Sequence, residues 1–540
     1  MSSGKWVLLP LKTTLRTMVL LLALCTAIIS PARPPQQLTS SDTRLINALK
    51  SFVPFAMQQN GPPGLNLAIC RHGDVIWEGA FGYADLSTKT PMTPQTVFHS
   101  GSIGKTFTAT AIMQLVEQGV ISLDDPINKY LKKFKVTNPL GDREITFRDL
   151  LTHRSGLTSN AAGSEFALPA PLESHLTDEY SRKFFEPYDS TYLPLWTAKV
   201  GDKFQYSNFG LATLGYLVEI TNPEGLTFSQ YIQKHIMDPL GMKSSMYPPV
   251  QDAAHVPPEI FSRLSKGYAV FGPIAIPTPT IYFADYPAGT VVGTPGDLVH
   301  LAAAYLNNGN FHGYQLLKPE TVGLMLSQQI DFGNGSALGL IWQLRNVGKP
   351  GFTFGHGGLH MFGWTNDLRA FPEHDLGLAI ATNEWDMVHY GDATFRSTIP
   401  VIESFIAAWL ESEKKDIHTV QPDRSWSWKT SYIIGLIVVE RLKGGLGIRT
   451  PINHEMVEAM IRGTRLQYLG KDQVDPWDPS GFRTGIDDMS KVTMTPDGIR
   501  AFMQSKQLQV APEELEILYR ELGGHGVFLP WPEFVPPASR

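Results

Sequence analysis

Apolar residues along this chain fall into short runs whose spacing changes from one segment to the next. Leu65 to Cys70 and Val75 to Phe81 are β-prone, and His72-Gly73-Asp74 between them is a turn, so together they predict a hairpin. Thr106 to Glu117 carries Phe107, Ala111 and Leu115 at helical spacing and stops at Gly119. Phe209 to Ile220 and Leu298 to Leu306 read as two more buried helices, the second ended by Gly309. Leu376 to Thr382 is a short apolar run, the pattern of a central strand, and Thr398 to Leu410 is an amphipathic helix. Strands at both ends with helices between them predict an α+β fold, one antiparallel sheet packed against a helical cluster.

The two ends differ from this body. Met18 to Ile29 is apolar, follows Lys5, Lys12 and Arg16, and precedes Ser30-Pro31-Ala32. Basic, apolar and small segments in that order predict a secretory signal over residues 1–32. The protein is then periplasmic or secreted, and meets a membrane only through this segment if it stays uncleaved. The apolar run is short of the ~20 residues that a spanning helix needs, and Tyr432 to Val439 is shorter still. Composition changes near Lys415. Residues 416–540 hold a Trp/Ser patch, an acidic stretch from Asp472 to Asp488 and a helix-like segment from Glu513 to Leu522. They are expected to form a mixed, helical extension of unassigned role beyond a body at 33–415.

Composition narrows the function. The 540 residues are 43% hydrophobic and 18% charged, which excludes a disordered or collagen-like chain. Lys and Arg number 45 against 51 Asp and Glu, a net charge of −6, so no nucleic-acid partner is expected. Cys25 and Cys70 are too few for a disulfide scaffold or a Cys-based zinc site.

Three short motifs carry candidate chemistry. Ser102-Ile103-Gly104-Lys105 stands at the head of the helix expected from Thr106. Spacing i, i+3 puts the hydroxyl and the amine on one face. A buried lysine, its pKa lowered by desolvation, can take a serine's proton, and a helix N-terminus offers N–H groups to an oxyanion. In isolation the same motif is most often a surface serine and a solvated lysine. Two look-alikes fail: a phosphate loop needs glycine where His99 stands, and G-x-S-x-G needs glycine where Ser100 stands. Tyr206-Ser207-Asn208 supplies a phenol able to relay protons and an amide able to hold both the lysine and a substrate carbonyl. By itself it is equally a turn capping the helix from Phe209. His356-Gly357-Gly358 supplies a strand without side-chain bulk, on which a substrate can lie, or an ordinary glycine turn.

With their surroundings, the three motifs resemble the serine β-lactamase and penicillin-binding protein group, in its class C-like branch of esterases, D-peptidases and lactamases. Phe98 to Lys105 looks like that group's nucleophile motif, and Leu150 to Leu157 (LLTHRSGL) like its "LLTH-x-SGL" segment. Gly201 to Gly210 looks like its tyrosine motif, Gly289 to Leu298 like its glycine-rich segment, and Gly355 to Gly358 like its third motif. The likeness covers about 45–410. It implies a β-lactamase/transpeptidase-like fold, with an antiparallel sheet flanked by terminal helices plus an all-helical subdomain. It implies that Ser102 forms an acyl-enzyme, Lys105 activates it, Tyr206 shuttles protons and Asn208 holds Lys105 and the substrate amide. The oxyanion hole is implied at the N–H groups of Ser102 and Leu359, beside Gly357 and Gly358. No metal or cofactor is implied. Asp124, Asp125, His153 and Ser155 match segments read as scaffold.

The resemblance places His356 where lysine binds a substrate carboxylate and where many esterase-like members carry histidine instead, so a charge that grips that carboxylate becomes conditional on pH. That favours ester or peptide substrates over lactams. In its export segment, length and C-terminal extension the chain is similar to bacterial hydrolases of linearised microcystin, which implies cleavage of one amide bond in a short, unusual linear peptide. The alternatives are a periplasmic carboxylesterase or weak β-lactamase on small acyl substrates, and a non-catalytic penicillin-binding-like sensor. The stretches Thr158–Val200 and Tyr247–Ala288, with Trp196, Tyr247, Phe271, Tyr282 and Tyr286, are expected either as a cover shaping an apolar pocket or as ordinary loop packing.

Overall fold

The predicted hairpin is present: strand β1 (Gly64–Arg71) runs into β2 (Asp74–Asp85) through His72 and Gly73, both at positive φ (53° and 85°), the type I′ geometry that matches strand twist. The computed structural model describes residues 38–60, 62–158, 164–165, 170–181, 195–247, 258–271, 274–280, 282–360, 363–386 and 398–414. The expected signal and the 416–540 extension lie outside the described residues. Among the described residues no helix is long and apolar enough to cross a membrane.

One antiparallel sheet organises the body. Its further strands are β3 (Thr90–Pro91), β4 (Ile330–Gly333), β5 (Ser336–Leu338), β6 (Gln343–Arg345), β7 (Thr353–His360), β8 (Trp364–Phe371) and β9 (Leu376–Thr382), in the spatial order β4-β5-β6-β7-β8-β9-β1-β2-β3. The strand nearest the start of the body thus pairs with the last strand of the sheet, Leu65 opposite Thr382 through Arg71 opposite Leu376. Every residue of β9 is buried, which is why its sequence is continuously apolar rather than alternating.

Helices cover the sheet. Helix α1 (Ser40–Asn60) lies against the closing helix of the body, with Phe52 stacked on Phe405 at 4.1 Å. The next two helices, α2 (Gly104–Glu117) and α3 (Asn208–Thr221), are buried almost all round and sit inside the helical cluster. Helix α4 (Pro295–Leu306) packs on β1 and β9, and α5 (Thr398–Lys414) is the partner of α1. Cys70 and Ala68 join the core shared with α2 to α4, while Leu65, Leu67 and Ile69 alternate to the opposite face and are equally buried. The threonines of α2 fit a buried helix because their hydroxyls donate inward: Thr106 to Ile103 O and Thr110 to Thr106 O, both at 2.7 Å, and Thr108 to Pro287 O at 2.6 Å.

Candidate active site

Ser102 lies in a 3-10 turn (Gly101–Ile103) that runs straight into α2. The helix therefore begins at Gly104, two residues before the expected Thr106, and Lys105 is in its first turn. Two neighbours stitch this segment down: Ser100 N donates to Val291 O at 2.8 Å, and the buried Asn366 donates from Nδ2 to His99 O at 2.8 Å. The serine position is thus fixed by backbone and by β8 rather than by its own side chain.

Lys105 is fully buried, and its Nζ has three oxygen neighbours: Ser102 Oγ at 3.0 Å, Asn208 Oδ1 at 2.7 Å and Ala288 O at 2.7 Å. Burial holds its pKa down at about 7 against an ordinary 10.5, with Asp285 opposing that shift. The two carbonyl oxygens can only accept. A neutral amine must spend its hydrogens on them, which turns its lone pair toward the Ser102 hydroxyl. That orientation suits a general base for the serine.

Tyr206 donates from its hydroxyl to Ser102 Oγ at 2.7 Å, and its ring lies 4.8 Å from Lys105 Nζ. The ring also rests 4.5 Å from His153, whose Nδ1 accepts from Ser207 N at 3.1 Å. Ser207 caps α3, accepting from Gly210 N at 3.0 Å and donating to Thr158 O at 2.7 Å. The cap seats Asn208 as the first helical residue, so the capping turn is present and it also brings Tyr206 and Asn208 to Ser102 and Lys105. His153 acts as scaffold, as expected, with burial keeping it neutral.

The third motif lies on β7. Strand β6 pairs only with Thr353 to Gly355, so among the described residues this edge of β7 has no strand partner from His356 onward. Three backbones crowd there without side chains. A Cβ on Gly358 would sit 2.0 Å from Ser100 O, one on Gly101 2.6–2.8 Å from Leu359, and one on Gly289 2.8 Å from Gly101. Gly357 is less confined. Ser102 and Leu359 both line the resulting cleft, the placement an oxyanion hole built from their N–H groups requires. Gly358→Ala is accordingly expected to push the strand off the serine segment and lower turnover by about 10²-fold, the scale of a lost oxyanion donor. An unchanged kcat would show that this contact is not needed.

His356 differs from its expected role. It is buried beside Lys105, its Nδ1–H donates to Gly357 O at 2.6 Å, and burial drives its pKa down to about 3. The ring is neutral throughout the physiological range rather than switching within it, so it carries no charge to offer a substrate carboxylate.

The cleft is lined by Ser102, Asn208, Phe283, Asp285, Ala288, Gly289, Thr290, Leu359 and His360. Of the loop aromatics, Trp196, Tyr247 and Tyr286 are packed into the core, the ordinary alternative, and the side chains of Phe271 and Tyr282 lie outside the described residues. Sequence reasoning missed Phe283, His360 and the buried pair His175–Asp285, since no local motif marks them. Among the described residues no group of three metal-binding side chains occurs.

The family model described as Beta-lactamase matches residues 49–398. Protein flp of Staphylococcus aureus (strain MW2) is 26% identical over 199 residues, 37% of this chain and 38% of that protein. With flp of strain N315 the match covers 50% of that protein, so the chain spans about half the length of these curated relatives or less. Among solved structures, the octameric penicillin-binding protein homologue from Pyrococcus abyssi aligns with a TM-score of 0.51 at 26% identity, covering 63% of this chain and 73% of that one. The D-amino acid amidase from Ochrobactrum anthropi SV3 shares the fold, with a TM-score of 0.50 at 23% identity over 69% of this chain and 99% of its own. Because the family match takes in every strand of the nine-stranded sheet and all three motifs, the chain belongs to the beta-lactamase family of serine hydrolases.

Proposed function

We propose that the protein is an exported serine hydrolase that forms an acyl-enzyme on Ser102 and cleaves one amide bond in a short, unusual linear peptide such as linearised microcystin. The observation that carries the hydrolytic part is the Lys105 amine, turned by two carbonyl oxygens toward the hydroxyl that Tyr206 also reaches. Lys105 takes the serine proton as Oγ attacks the carbonyl carbon. Tyr206 passes a proton to the leaving nitrogen, and water then releases the acyl group by the reverse relay. Asn208, bound to Lys105, lines the cleft where the substrate amide would lie.

Two features support a peptide. The unpaired edge of β7 offers main-chain hydrogen bonds to an extended backbone. Neutral His356 and a lining without Lys or Arg among the described residues leave the cleft poorly suited to grip the carboxylate of a lactam drug. The same want of a cation for a substrate carboxylate favours a second reading, a carboxylesterase on small acyl esters. Purified protein incubated with linear and cyclic toxin, followed by mass spectrometry, separates the two. Cleavage of the linear form supports the peptidase. An intact linear peptide beside rapid turnover of p-nitrophenyl butyrate would assign the esterase instead.

A further inference from the structure

A second buried acid–base pair stands in the cleft wall, outside all three motifs. His175 Nε2 lies 2.9 Å from Asp285 Oδ1, with the side chains 8% and 3% exposed. His175 comes from the helix Leu172–Ser181, its ring edge-on to Phe209, the neighbour of Asn208. Asp285 opens the turn Tyr286–Ala288, whose last carbonyl accepts from Lys105, and it lines the cleft beside Ser102. Its Oδ2 is buried with no hydrogen-bond partner among the described residues. A carboxylate so placed is costly unless a cation offsets it.

Lys105 has the complementary need. Among the described residues its three hydrogen-bond partners are neutral oxygens, so when it takes the Ser102 proton an ammonium forms in a buried place with none of their carboxylates touching it. The other titratable groups that bear on it are Tyr206, whose ring lies 4.8 Å from Nζ, and His153 and His356, which burial holds neutral, so none of the three supplies an opposite charge. Asp285 is faced by Lys105, by His175 and by Tyr180 of the same helix as His175. We infer that Asp285 is the counter-charge of the Lys105 ammonium during acyl transfer, and that His175 fixes the carboxylate for that task. The inference rests on the acyl-enzyme reading of Ser102. The step balances: the Ser102 O–H breaks and its proton moves to Nζ, Oγ bonds to the carbonyl carbon as the C=O π pair moves onto oxygen, and the re-forming C=O then expels the leaving nitrogen, which takes its proton through Tyr206. Burial raises the Asp285 carboxyl above its ordinary range while His175 and Lys105 pull it back, so these two partners favour the carboxylate form, which stays off the reacting atoms. Both residues therefore act through Lys105 and are positioning residues.

The test is the rate of Ser102 labelling by a fluorophosphonate between pH 5 and 10, with the labelled residue mapped. Wild type is expected to show an acid limb near pH 7, where Lys105 loses its proton. Asp285→Asn, isosteric but uncharged, should move that limb down by about one pH unit, as loss of a nearby opposite charge does. It should also lower the alkaline plateau about tenfold, because the amine becomes a weaker base. His175→Leu, which strips the carboxylate of its donor, should move the limb the same way and serves if the first variant does not fold. Folded variants that label slowly with an unmoved limb would mean a merely structural pair and overturn the inference. So would a loss confined to substrates bearing a free amine, which would place Asp285 in substrate binding. Wild-type labelling at a residue other than Ser102 would instead overturn the acyl-enzyme reading itself.

Discussion

Ser102→Ala is expected to leave a folded protein whose turnover falls by ~10⁴-fold or more, the scale at which a covalent nucleophile is lost in serine proteases. The fold should survive because the serine side chain anchors nothing but the site. The segment is held by Ser100 N to Val291 O, by Asn366 to His99 O and by α2 behind it. Labelling by a fluorophosphonate or a labelled penicillin should vanish in parallel, since both need the hydroxyl. Alanine also strips Lys105 and Tyr206 of their shared partner while leaving Asn208 and Ala288 O in place, so the lysine stays seated. Circular dichroism and a melting curve check the fold, and product formation checks the rate. A variant that kept near-normal turnover would remove the hydroxyl from the mechanism.

Lys105→Met carries the second large effect, a loss of about 10³-fold or more in kcat/KM, within the range of a removed general base. It also has a stability signature that a passive lysine would lack. The amine ordinarily titrates near 10.5 and here at about 7, so below pH 7 the folded state bears about 5 kcal/mol that the unfolded chain does not. Between pH 7 and 10 the unfolded chain holds the proton and the folded protein does not. Wild-type stability therefore rises with pH across that window, and the cost disappears above 10.5. Methionine fills similar space without a charge, but leaves Asn208 Oδ1 and Ala288 O without their donor, at about 1–3 kcal/mol each. The absolute melting temperature is then a balance of opposed effects, whereas its pH dependence is not. Relative to wild type, the Met variant should gain stability steadily as pH falls from 10 to 7. A pH-independent difference would mean that Lys105 keeps an ordinary pKa, and its role as a base near neutrality would go with it.

Much of this site was legible because its chemistry sits in local patterns. The turn at His72-Gly73, the helix behind Ser102 and the Tyr-Ser-Asn cap each follow from residues within a few positions of one another. The fully buried β9 was legible as an uninterrupted apolar run. Three things were not. The edge strands β4 to β6 are short and partly exposed, so neither alternation nor a long apolar run marks them. The start of α2 moved because Gly101, at positive φ, lets the chain enter a 3-10 turn ahead of the helix. The charge state of His356 depends on what surrounds it, and the pair His175–Asp285 joins segments 110 residues apart, so no window of sequence holds either.

The pairing of β1 with β9 also bears on how the chain is made. A ribosome delivers Gly64 to Arg71 long before Leu376 to Thr382, yet the centre of the sheet cannot close until both are present. Contacts of such long range form slowly. Until the late strand arrives, β1 has β2 along one edge and bare main-chain groups along the other. The nascent body is thus left in an open state through most of its synthesis. That state demands shielding from neighbouring chains, and it is also the condition in which a polypeptide can still be threaded through a translocation pore.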